Sequence, residues 1–168
     1  MRSHFVRRLG LTAGTLLLVA GAPPTLADTP DGGHGTRQVA FDSTVQIVGG
    51  DSACDPTDPS RCAGTFRAVH TYRGDLTGTA YVAGSAVLLG DGTYQGQSVV
   101  QFTGDVAGCG HGTLIMLEEG VLDPVTGAAP GTWTIVAGRG TGDLAATSGG
   151  GMGGLPGTPG ATGTIRCS

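Results

Sequence analysis

Glycine stands at 33 of the 168 positions, and each one placed inside a helix would cost about 1 kcal/mol relative to alanine. Between the glycines the apolar residues recur with a period of two rather than 3.6. In the stretch 65–72, Phe66, Ala68, His70 and Tyr72 fall on one face of an extended chain. Residues 39–48, 82–89, 93–102, 113–119, 132–136, 142–146 and 161–167 carry the same strand signature. Gly90-Asp91-Gly92 lies between two of these runs as a hairpin turn. The pattern predicts an all-β fold of about eight short strands. Glycines at strand corners favour a tightly coiled small antiparallel barrel, with a two-sheet sandwich as the alternative. An immunoglobulin-type sandwich is disfavoured, because Trp133 lies between Cys109 and Cys167 in an order that such domains do not use. The glycine-rich run 149–163 is predicted to be a long hairpin loop before the last strand.

The N-terminus is different. Arg2, Arg7 and Arg8 precede an apolar run over residues 9–20, and Thr25-Leu26-Ala27 supplies the small residues of a cleavage site. Residues 1–27 are therefore predicted to be a cleaved signal peptide, too short to anchor the chain across a hydrocarbon core of about 30 Å. Residues 28–35 read as a flexible lead-in and 36–168 as a single domain. Beyond the leader, six arginines face thirteen acidic residues and there is no lysine, a formal net charge of −7. A chain so acidic, without a basic stripe, argues against nucleic-acid binding and against anionic membranes.

Four cysteines, Cys54, Cys62, Cys109 and Cys167, in an exported chain predict disulfides, for which three pairings exist. The favoured set is Cys54–Cys62, closing a short loop, with Cys109–Cys167, tying the C-terminus to the middle of the sheet. Their spacing does not suit zinc, and Asp51, Asp55 and Asp58 miss the EF-hand calcium pattern. No metal and no cofactor are expected.

Chemistry-bearing residues are few. His70 shares its strand face with Phe66 and Tyr72, so an inward-facing His70 needs a partner or is held neutral. Glu118 and Glu119 are neighbours on a strand and point to opposite faces. Whichever faces the apolar interior has its pKa raised by desolvation, whereas at a solvated strand end both would be ordinary surface residues. The candidate catalytic set is Glu118, His70 and Tyr72. The candidate ligand-lining set is Phe66, Met116, Trp133 and Ile135. Gly138-Arg139-Gly140-Thr141-Gly142-Asp143 reads as a β-turn rather than a phosphate loop, since no helix follows it.

From Thr71 onward the chain resembles an uncharacterised bacterial domain-of-unknown-function family related to allene oxide cyclase-like barrels. The residues that carry the likeness are Tyr72-Arg73-Gly74-Asp75-Leu76-Thr77-Gly78-Thr79-Ala80, Phe102-Thr103-Gly104, Gly112-Thr113-Leu114, Gly131-Thr132-Trp133-Thr134-Ile135-Val136, and Gly138 to Ala145. The resemblance implies an eight-stranded antiparallel barrel with a narrow, largely apolar interior and no settled activity. Where the family's middle strand often ends in Gln-His, this chain has Leu117-Glu118.

Three functions follow as expectations. The leading one is a secreted barrel that binds a small apolar molecule. The second is a cyclase- or isomerase-type enzyme using the barrel interior, with Glu118, His70 and Tyr72 polarising the substrate. The third is a non-catalytic structural or interaction module plugged by its own core. A cavity reached by Glu118 or His70 favours the first two, and an interior filled by Phe66, Met116, Trp133 and Ile135 favours the third.

Overall fold

The computed structural model describes residues 35–123, 125, 130–153 and 160–167, the side chain of Pro59 excepted. The predicted signal peptide and nearly all of the predicted lead-in lie outside the described residues. These contain nine strands and no helix: β1 (Thr36–Asp55), β2 (Asp58–Gly74), β3 (Leu76–Leu88), β4 (Tyr94–Val106), β5 (Gly110–Leu122), β6 (Gly131–Ile135), β7 (Thr141–Gly142), β8 (Ser148–Met152) and β9 (Ala161–Arg166). All pairings are antiparallel. The order β4-β3-β2-β1-β9-β8-β6-β5 is closed by a further β4–β5 pairing, so eight strands form a ring and β7 adds two residues beside β5. A sheet closed on itself is a barrel, and the interior is where the buried half of each alternating strand points.

That interior is packed over most of its length. On β2 the buried residues are Ala68, His70 and Tyr72; on β4, Val100, Phe102 and Val106; on β5, Leu114 and Met116; on β6, Trp133 and Ile135. Aromatic rings make the central contacts, Phe41 lying 5.6 Å from Tyr72 and 5.3 Å from Trp133, and Tyr72 5.5 Å edge-on from Phe102. Such tilted and edge-to-face pairs add roughly 0.5–1.5 kcal/mol each beyond their buried area.

The glycines make room for these rings. Trp133 pairs across to Gly151, which pairs in turn to Gly163. A β-carbon on Gly163 would come within 2.5 Å of the indole Cζ2. This explains the one element placed differently from the sequence reading. The predicted strand over 142–146 is mostly turn, and β8 instead runs through Ser148–Met152, inside the predicted loop. Three consecutive glycines are poor strand formers, but here the bulk that packs over them comes from Trp133 on the neighbouring strand. The hairpin at Gly90-Asp91-Gly92 forms as predicted. Leu89 bonds across to Thr93, Asp91 Oδ1 accepts from Thr93 N and Oγ1 at 2.9 and 2.7 Å, and Gly92 takes φ 87°, a conformation that suits glycine.

One end of the ring is sealed. Leu76, Val106, Leu144, Ile165 and Cys167 are buried there, and Cys167 is bonded to Cys109 in the β4–β5 turn. β9 and β4 lie on nearly opposite sides of the ring, so this disulfide spans the closed end of the barrel instead of reaching the middle of the sheet. Among the described residues no such layer covers the other end. β1 pairs with β9 only through Phe41, whereas its pairing with β2 continues to Asp55 across a bulge at Ile47–Gly49. The long β1–β2 hairpin, with Cys54 bonded to Cys62 near its tip, therefore projects beyond the ring.

Opening the Cys109–Cys167 bond, which closes 58 residues, is expected to cost about 4 kcal/mol by chain entropy. Opening the Cys54–Cys62 bond, which closes 8, should cost only about 2.5 kcal/mol. Urea denaturation of the two Cys→Ser double variants, followed by the fluorescence of the single tryptophan, checks the order.

Candidate functional site

Cross-strand register assembles the site. Phe66, Gly84, Ser98, Glu118 and Trp133 stand opposite one another on β2, β3, β4, β5 and β6, forming one inward-facing row. On the sealed side of this row lies Ala68, Val82, Val100, Met116 and Ile135, entirely apolar and buried. On the open side lies Gly64, Ala86, Gly96, Gly120 and Gly131, a collar with almost no side-chain volume. Beyond the collar, Leu88, Tyr94 and Leu122 form an apolar rim. Among the described residues the barrel is thus filled by side chains below the polar row, and the row directly above it contributes only the methyl group of Ala86.

Glu118 anchors the polar cluster. Its Oε1 accepts from Tyr72 Oη at 3.4 Å and its Oε2 from Ser98 Oγ at 3.1 Å. Tyr72 Oη also lies 3.4 Å from His70 Nδ1. Because the phenol proton is given to Glu118, the bond to His70 requires that Nδ1 carry a hydrogen and donate it. His70 Nε2 is then a bare acceptor, and it is buried without a partner. Trp133 Nε1, a buried donor in the same row as Glu118, is likewise unpartnered. Unmet buried polar atoms are costly and uncommon, and here one acceptor and one donor occur beside the same cluster.

Burial sets the protonation states. Desolvation raises the pKa of Glu118, opposed by the hydrogen bonds from Ser98 and Tyr72. Desolvation also raises that of Tyr72, helped by the charge of Glu118 and by the bond to it. His70 is pushed down to about 4 by burial, so its imidazole is neutral at neutral pH and able to accept a proton.

A pocket of about 550 Å³ lies at the open end. Its lining includes Ile47, Gly50, Ser52, Gly64, Phe66, Ala86 and Tyr94, positions on the inward face of the projecting hairpin and of the adjoining strands. Phe66 rests on Gly84, where a β-carbon would strike its ring, and borders this pocket at the level of the Ser98–Glu118 row. A second concavity, about 640 Å³, is bordered by Ala83, Gln97, Val99, Leu117, Glu119, Thr132 and Thr134 from the exposed, outward half of their strands, and also by Gly84, Ser98 and Glu118 of the polar row.

The candidate catalytic residues Glu118, His70 and Tyr72 therefore come together in one hydrogen-bonded chain. Of the candidate ligand-lining residues, Met116 and Ile135 lie in the packed core, Trp133 stands in the polar row, and Phe66 borders the mouth. Ser98 was not singled out from the sequence. Its signal was available, since it sits two and four residues before Val100 and Phe102 on the same face. The glycine collar had no such signal, because glycine reads as a turn until the pairing is known.

A closed antiparallel sheet with a sealed base and an inward acid–phenol–imidazole chain, its tyrosine and histidine buried and its glutamate half-buried, defines the class. The chain belongs to the family described as "Protein of unknown function (DUF3224)", which it matches over residues 43–155. A solved structure similar to it is a protein of unknown function from that family, from Shewanella oneidensis MR-1, determined at 1.84 Å resolution. The two share 15% identity at a TM-score of 0.58, over 80% of this chain and 96% of the other. At that identity the likeness concerns the fold alone. No curated protein matches the chain.

His70 gives the cluster a pH signature. Its folded pKa of about 4 lies below the ordinary value of 6.5, so its contribution to stability is complete above pH 6.5 and is lost as pH falls toward 4. Glu118, with a raised pKa, acts in the opposite sense, adding stability as it protonates. Replacing His70 by Gln is expected to reduce the stability lost between pH 7.5 and pH 4 by about 3 kcal/mol, measured by urea denaturation of both proteins at the two pH values.

Proposed function

We propose that this protein binds a small, largely apolar molecule in the mouth of its barrel, with the polar row as the floor of the site. The observation that carries this reading is the change of content along the barrel. Below Glu118 the interior is filled, and above it the register places Gly64, Ala86, Gly96, Gly120 and Gly131 under an apolar rim. Small-molecule sites are typically concave, mostly apolar and furnished with a few placed polar groups, and the adjoining pocket of about 550 Å³ is of suitable size.

Catalysis is the second reading, and the chain from His70 through Tyr72 to Glu118 is what favours it. A neutral imidazole with a bare, buried Nε2 can accept a proton, although burial weakens it as a base, and the raised pKa of Glu118 moves that carboxyl toward the range of acid–base work. Binding takes precedence because the mouth pocket is lined by Phe66 and mostly small or apolar residues, and by no member of this chain. The protein works outside the cytoplasm in this reading. Its support is the predicted leader over 1–27 and two disulfides, which persist in oxidising compartments. Among the described residues no helix is long and apolar enough to cross a membrane.

The neutral fluorophore N-phenyl-1-naphthylamine tests the binding reading. It is expected to bind saturably, one molecule per chain, with enhanced emission. Replacing Ala86, whose β-carbon already points into the collar, by Phe should weaken binding at least tenfold without unfolding the protein. Linear, non-saturable emission, or unaltered binding by the Ala86→Phe protein, would exclude the mouth as the site.

A further inference from the structure

We infer that the ligand of this site is an organic cation: a protonated amine on an apolar body, with its ammonium group at Glu118. The inference rests on the binding reading above and names the class of molecule that the mouth selects.

Glu118 is a carboxylate inside a barrel that offers it no counter-ion. The chain has no lysine. Of the six arginines beyond the leader, Arg61, Arg67, Arg73, Arg139 and Arg166 are exposed, and Arg37 lies near the sealed end, 3.9 Å from Asp75. Among the described residues none forms an ion pair with Glu118. His70, the one other base in the interior, is neutral and reaches Glu118 only through Tyr72. A buried charge left unpaired is expensive, and replacing such a group with a neutral one of similar shape often stabilises a fold. Packing alone thus gives no reason for a glutamate here, where its neighbours in the next row are all apolar.

The hydrogen-bond inventory points the same way. A carboxylate has about four acceptor positions, and Glu118 uses two, for Tyr72 and Ser98. Next above it on β5 is Gly120, above Ser98 is Gly96 and above Trp133 is Gly131, so among the described residues of β4, β5 and β6 the next inward position above the cluster carries no side chain, and Phe66 on β2 borders the way in. The aromatic rings of Phe66 and Trp133 stand in the same row. An ammonium group entering through the collar would find an open carboxylate edge and π-faces nearby, the combination that recognises organic cations. An anionic ligand would meet the same carboxylate as repulsion.

The test is isothermal titration of the mature protein at pH 7.5 with three compounds of one shape: 2-phenylethylamine, 2-phenylethanol and phenylacetate. The amine is expected to bind at least tenfold more tightly than the alcohol, and phenylacetate not to bind. Glu118→Gln should abolish the preference for the amine over the alcohol. A far-ultraviolet circular dichroism spectrum and a cooperative urea transition like those of the parent establish that the variant is folded. An alcohol bound as well as the amine, or an amine preference that survives Glu118→Gln, overturns the cation assignment while the binding reading stands. Failure of the fluorophore and of all three compounds to bind overturns both.

Discussion

Closure of the sheet is the constraint from which the rest of this structure follows. β1 makes it possible by pairing with β9 over Thr36–Phe41 and with β2 from Phe41 to Asp55. Phe41 is the pivot, opposed by Gly74 on one side and Ala161 on the other. Once eight strands form a ring, every inward position competes for a narrow, finite volume, and a large side chain on one strand requires a small one on its neighbours. Trp133 with Gly151 and Gly163, and Phe66 with Gly84, are instances of that trade. The abundance of glycine is the counterpart of the aromatic core.

Closure also accounts for the asymmetry of the two ends. At one end β9 is held on both sides, and the Cys109–Cys167 bond spans the ring over a layer of buried Leu76, Val106, Leu144 and Ile165. At the other, β1 continues past the last residue of β9 that it can pair with, and its free edge is left to face solvent. That edge carries Asp42, Asp51 and Asp55 and a bulge at Ile47–Gly49, features that discourage another strand from adding there. The hairpin that results gives the mouth a wall on one side.

Within this frame the cluster of Glu118, Ser98, Tyr72 and His70 is held at a cost to stability. Two ionisable groups, His70 and Tyr72, are removed from water and a third, Glu118, is half-buried, with two hydrogen bonds of 3.4 Å between them and two polar atoms nearby unmet. Hydrogen bonds of that length are weak compensation. Polar groups kept in a core on such terms are a physical reason to look for function there, and the collar of Gly96, Gly120 and Gly131 lies directly beside them.

Local pattern was enough to read the class of fold and the inward face of β2. Period-two alternation around Phe66, Ala68, His70 and Tyr72 located β2, and the turn residues at Gly90-Asp91-Gly92 located a hairpin, because both signals are local. Parity likewise put Glu118 and Glu119 on opposite faces, and cysteine spacing favoured the two disulfides that are present. What it misread was non-local: β8 is a strand only because Trp133 supplies from another strand the bulk its glycines lack. Tertiary structure alone decided that Glu118 is the inward carboxylate, that Tyr72 joins it to His70 across 46 residues of sequence, and that Gly96, Gly120 and Gly131 line a mouth. Those facts depend on register between strands, which is set by how the closed barrel fills its interior.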